Sequence, residues 1–137
     1  MMLRRTLGIA LLVLPALAAW AARPPHVAQQ SPFGDVTLTV TPSRYEGKCP
    51  VRLHFLGKVG IAVHPMAFNY VFERSDGAKS QLKVIRVTSP NAQVIDVHDW
   101  WQLGAKGQHV QVWEKLRVAS GNTRIESNQA DVDISCK

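Results

Sequence analysis

Several things are scarce in this chain, and each scarcity excludes a class of protein. Two cysteines in 137 residues are too few for a disulfide-scaffold miniprotein or a four-thiolate zinc site. No C-x-x-C is present, so a thioredoxin-like redox pair has no footing. There is no G-x-x-x-x-G-K-[ST] or G-x-G-x-x-G loop to cradle a phosphate, and no H-E-x-x-H or H-x-x-x-H to hold a catalytic metal. G-x-S-x-G is missing too, and the acidic residues are scattered, so neither a serine hydrolase nor a paired-carboxylate glycosidase is indicated. Charged residues make up only 19% and hydrophobic ones 46%, a balance that argues against a disordered chain and for a packed core. One long apolar run exists, and it lies at the very start.

That run has the layout of a secretory signal. Arg4 and Arg5 precede an apolar stretch from Leu7, Pro15 interrupts it, and Ala19-Trp20-Ala21 supplies the small-x-small cleavage pattern before Ala22. The stretch is short for a membrane span of about 20 residues, so residues 1–22 are read as a cleaved signal peptide. No lipobox cysteine follows it. The expected product is exported, periplasmic or secreted, with no membrane span in its mature form. Removing Arg4 and Arg5 from the 16 basic residues leaves 14 against 10 acidic ones, a net +4 rather than +6. The remaining bases are dispersed along the chain instead of forming a stripe, so no nucleic-acid partner is expected.

Residues 23–34, RPPHVAQQSPFG, carry three prolines and no apolar period, and they are expected to form a linker. From residue 35 to 137 the period becomes two. Val36, Leu38 and Val40 alternate with threonines; Val51, Leu53 and Phe55 alternate with Arg52 and His54; Phe68, Tyr70 and Phe72 follow, closed by the turn Ser75-Asp76-Gly77. A fourth strand is read around Leu82–Val87, and a fifth from Val94 through Trp101 and Leu103. A sixth spans Val110–Val118 and a seventh carries Ala130, Val132, Ile134 and Cys136. Gly57 and the GIAVHP stretch at 60–65 read as a connection. About seven short strands separated by turns describe an all-β, antiparallel sandwich of immunoglobulin-like type in a single domain. Trp101 and Trp113 are expected in its core, and Trp100, of opposite parity to Trp101, on its outer surface.

In an exported protein, Cys49 and Cys136 are expected to form a structural disulfide that pins the last strand; a redox or metal-binding pair is the alternative. The run Tyr45-x-Gly47-x-Cys49-Pro50-Val51, with Phe55-x-Gly57, Tyr70-x-Phe72-x-Arg74-Ser75-Asp76-Gly77-Ala78, Trp101-x-Leu103-Gly104, Trp113 and Glu126-Ser127-Asn128-x-Ala130, resembles a group of bacterial exported immunoglobulin-like β-sandwich domains of unknown function. The resemblance spans roughly residues 36–136. It implies an exported sandwich with a Cys49–Cys136 bridge and no cofactor.

Asp96, His98 and Trp100 fall on one side of the fifth strand, a possible binding face that becomes a metal site if His54 or His109 comes near. Otherwise the five histidines read as surface residues, His26 in the linker and His64 in a loop. Ser75 and Ser120 have no placed partners for nucleophilic catalysis, so no catalytic residue and no metal are assigned. The expected function is a non-enzymatic exported module, structural or binding an envelope or extracellular protein. The alternatives are a ligand or metal carrier using Asp96, His98 and Trp100, or a small enzyme inhibitor presenting His64-Pro65 or the 120–127 hairpin.

Overall fold

The computed structural model describes residues 24–25 and 30–137; the expected signal peptide, residues 1–22, and positions 23 and 26–29 of the expected linker lie outside the described residues. Nine strands follow one another among the described residues: β1 Phe33–Thr41, β2 Arg44–Gly47, β3 Val51–Ile61, β4 Met66–Arg74, β5 Lys83–Val87, β6 Val94–Leu103, β7 His109–Ser120, β8 Thr123–Glu126 and β9 Ala130–Cys136. They form two layers. One sheet has the order β1-β3-β6, and the other has β2-β9-β7-β4-β5, with β8 beside the end of β7. The chain is an all-β sandwich, as its alternating pattern requires.

The differences from the sequence reading are local. Nine strands replace seven because β2 and β8, four residues each, have too little apolar alternation to be visible. β2 pairs with β9 in parallel, so the sandwich is not wholly antiparallel. β1 begins at Phe33, inside the expected linker, because that ring is buried and meets Phe68 edge-on at 5.8 Å. β3 runs on to Ile61 through Gly57 and Gly60, so the expected connection is shorter than read and is confined to residues 62–65. Gly57 is tolerated there for a packing reason: a Cβ would stand 2.5 Å from the Leu116 side chain across the interlayer space.

Leu38, Leu53, Phe55, Val59 and Val97 from one sheet meet Phe68, Phe72, Leu116, Val118 and Ile134 from the other, all nearly or wholly buried. Each such side chain contributes roughly 1.5–3 kcal/mol over its exposed state. Trp101 packs against this core at its edge. Trp113 does not belong to it. The inward residues of β7 are the even-numbered Leu116 and Val118, so odd-numbered Trp113 lies on the outer side, with the Lys115 ammonium 5.4 Å from its ring. The inward slot beside it holds Glu114, fully buried.

Cys49, in the connection between β2 and β3, is bonded to Cys136 at the end of β9, with the Cα atoms 5.4 Å apart. The connection passes from one sheet to the other, so the bond ties the last strand to the crossing point. Gly104 closes over it with φ +96°, and a Cβ there would lie 2.6 Å from one sulfur and 2.8 Å from the other. Both the left-handed backbone and the close approach require glycine.

The edge of β1 is held by a side chain that imitates a strand. Asn128 Oδ1 accepts from the Leu38 N–H at 2.9 Å, and its Nδ2 donates to the Leu38 carbonyl at 2.9 Å. Asn128→Ala leaves both backbone groups unpaired in a partly buried place. It should cost about 1–3 kcal/mol, read as a lower urea midpoint with an unchanged m-value; an unshifted midpoint would show the contact to be idle.

Candidate functional site

β3 and β6 place the candidate face. The Ile61 N–H donates to the Gln93 carbonyl at 2.8 Å, and this fixes the phase of the whole ladder. Odd-numbered residues of β6 turn their backbone groups toward β3, while even-numbered ones turn theirs away. His54 and Trp100, Leu56 and His98, and Lys58 and Asp96 are therefore non-hydrogen-bonded pairs, the class in which cross-strand side chains approach most closely.

The side chains on this outer side form a continuous row. The Arg52 guanidinium lies 4.3 Å from the Trp100 ring centre, a cation–π contact. The His54 ring stacks on Trp100 at 4.1 Å with the planes 16° apart. His54 Nε2 and His98 Nδ1 are 2.8 Å apart. With ring centres 5.1 Å apart and planes 9° apart, these two imidazoles lie almost in one plane, nitrogen facing nitrogen, one donating and one accepting. Lys58 closes the row with an exposed 3.1 Å ion pair to Asp96, worth little by itself. Trp100 remains 48% exposed, although Arg52 and His54 already engage its ring.

Asp96, His98 and Trp100 therefore share one face, and His54 joins them. His109 does not: it bonds Asp133 at 2.6 Å on the other sheet and holds that carboxyl below its usual range. Among the described residues, no group of three or more histidine, cysteine, aspartate or glutamate side chains is arranged to hold a metal ion. Ser75 and Ser120 are occupied with backbone, Ser75 accepting from the Trp113 N–H and Ser120 donating to the Ala67 carbonyl. The 120–127 segment is not a free loop, because Thr123–Glu126 pairs with β7 as β8. His64 is tied to the Ala92 carbonyl.

A second cluster, invisible in the sequence reading, lies between the layers. Arg74 on β4 reaches Asp99 on β6 at 3.3 Å and stands 3.7 Å from the Glu114 carboxyl on β7. Its guanidinium also lies 4.5 Å from the Trp101 ring centre. Neither Glu114 oxygen has a hydrogen-bond partner. Burial, helped by the neighbouring Asp99 and opposed by Arg74, pushes the Glu114 carboxyl up to about 9, so at neutral pH it carries its proton. One carboxylate and one guanidinium then balance within the cluster. Burial, with Asp99, also raises the Tyr70 phenol. The signal was present in the parity: Arg74, Asp99 and Glu114 each occupy the inward slot of an otherwise apolar strand face.

No protein-family model matches the chain, and no curated protein matches it in sequence. Solved structures do match in fold. A CARDB domain from Pyrococcus furiosus, solved in complex with di-metal ions, is 13% identical with a TM-score of 0.51, over 79% of this chain and 99% of that one. The N-terminal domain of a Streptococcus gordonii adhesin is 11% identical with a TM-score of 0.53, over 73% of this chain; the match spans 32% of the adhesin structure. These likenesses support the immunoglobulin-like sandwich as the fold.

Proposed function

We propose that the protein is an exported, non-enzymatic β-sandwich module that binds a protein partner in the envelope or outside the cell through the outer face of the three-stranded sheet. The observation that carries this reading is Trp100: half exposed, yet fixed in position by Arg52, His54 and the strand pairing beneath it. A large aromatic ring whose rotamer freedom is already lost has less entropy to give up on binding, and such residues dominate interface energetics. The disulfide and the N-terminal apolar segment support export. With the mature chain immobilised and exposed to envelope and secreted fractions, wild type should retain a protein that Trp100→Ala retains at least tenfold less well, the effect of one aromatic hot spot. Retention indifferent to the substitution sinks the assignment of this face.

The facing nitrogens of His54 and His98 favour a metal carrier as the second reading. Two imidazoles are an incomplete set for zinc, whose sites use three or four protein ligands. Micromolar zinc or copper binding, lost on His98→Ala, would promote this reading over the first.

A further inference from the structure

The two layers differ in width, and among the described residues the difference leaves one strand position unfilled. Leu116 of β7 packs beneath Gly57 of β3, and Arg74 of β4 reaches Asp99 and Trp100 of β6. β3 therefore lies over β7 and β6 over β4. β5 pairs with the far side of β4 and so extends past β6, with no strand of the described residues above it. On its inner side Val87 is buried, Ile85 half-buried and Lys83 exposed. Along the same flank β6 is an edge strand over its full ten residues. Its even-numbered residues, Val94 to Gln102, turn their N–H and C=O groups outward, and among these the Trp100 carbonyl accepts from Arg74 at 3.2 Å. The opposite edge of this sheet, at β1, is interrupted by Asn128.

We infer that this flank is a strand-addition site: one extended polypeptide segment of a partner pairs with β6 and lies over β5. An outward row of amides and carbonyls on every second residue matches only another extended backbone. The shelf below sets the chemistry of the segment. Of its alternate residues that face inward, one is apolar and covers Ile85, and another is acidic and meets Lys83. Its residues facing the other way pack beside His98 and Trp100, so the proposal rests on the partner-binding reading and specifies how that partner is held. A second copy of this chain fits less well, because pairing two β6 edges brings two projecting β5 strands into the same space.

The test uses a library of random twelve-residue peptides displayed on phage and panned on the immobilised mature chain. Hits are measured against Asp96→Ala, Asp96→Pro and Trp100→Ala. The Asp96 N–H points outward, so proline there removes one donor from the open edge and no bond of the β3 ladder. Hits should be enriched in alternating apolar and acidic residues. They should bind Asp96→Pro at least tenfold more weakly than Asp96→Ala. Hydrogen exchange in the bound wild type should show new protection at the Asp96, His98 and Gln102 amides, a readout that stands even if the proline variant does not fold. Hits that lose binding on Trp100→Ala but neither distinguish proline from alanine nor protect those amides overturn strand addition and leave face binding standing. Hits indifferent to all three substitutions, or no hits, overturn strand addition outright. A dimer in sedimentation that Asp96→Pro abolishes overturns the peptide occupant in favour of a second copy.

Discussion

Glu114→Gln should leave the protein more stable than wild type at pH 9 and remove part of the loss of stability that wild type suffers as pH rises. The folded carboxyl titrates near 9 against an ordinary value of 4.5, so the folded state holds this proton more tightly than the unfolded chain does. A group raised in this way stabilises fully below its unfolded value. Its contribution is lost as pH climbs through the window from 4.5 to 9, at up to about 1.4 kcal/mol per unit while only the folded state is protonated. The amide keeps the shape and the capacity to donate toward Asp99 but has no proton to lose. Arg74, on β4, and Asp99, on β6, are the charged groups facing it. Both are unchanged in the variant, so the difference between the two proteins isolates position 114. Denaturant unfolding at pH 5, 7 and 9 should give a gap between variant and wild type that moves in the variant's favour by a few kcal/mol. A gap that stays constant with pH would show that Glu114 titrates as an ordinary carboxylate.

The second large effect belongs to the disulfide. Cys49 and Cys136 are separated by 87 positions, and in the chain-entropy account a loop of that length is worth roughly 4–5 kcal/mol through the unfolded state. For a domain of this size that corresponds to a fall of about 15–30 °C in Tm. The Cys49→Ala/Cys136→Ala protein should show it by calorimetry, and wild type under a strong thiol reductant should follow the same curve. A fall of only a few degrees would mean that β9 is held by its pairing with β7 and β2 alone. Thiol titration of the denatured, unreduced protein gives the same question a direct answer, and two free thiols would contradict the bond.

Much of the sandwich is legible in the chain because a sheet with one buried side writes its period into the sequence. Phe68, Tyr70 and Phe72, or Ala130, Val132 and Ile134, identify both a strand and its inward side. What escapes this reading is set by contacts rather than by period. β2 exists because β9 offers it a parallel edge, and β8 because a tight turn folds Thr123–Glu126 back on β7. Neither has a face of its own to bury. β3 looks interrupted because Gly57 and Gly60 read as a break, whereas they mark places where the opposite layer or the neighbouring strand comes too close for a side chain. Trp113 shows a different error: the size of the ring suggested the core, while its odd number already placed it outside. The candidate face was half legible. Parity alone puts Asp96, His98 and Trp100 on one side, but the arrival of His54 depends on the register of β3 against β6, and the separation of His109 on its belonging to the other layer. No spacing along the chain encodes either.

The carboxamide of Asn128, set against Leu38 in the middle of β1, also governs stoichiometry. A sheet with two open edges can receive a strand on one flank and offer one on the other, and nothing then limits growth into a fibre. Here one flank of the three-stranded sheet is stopped by an amide that cannot be extended, so any pairing on the β6 flank is terminal. On the strand-addition proposal, the three-stranded sheet takes up one segment and grows no further.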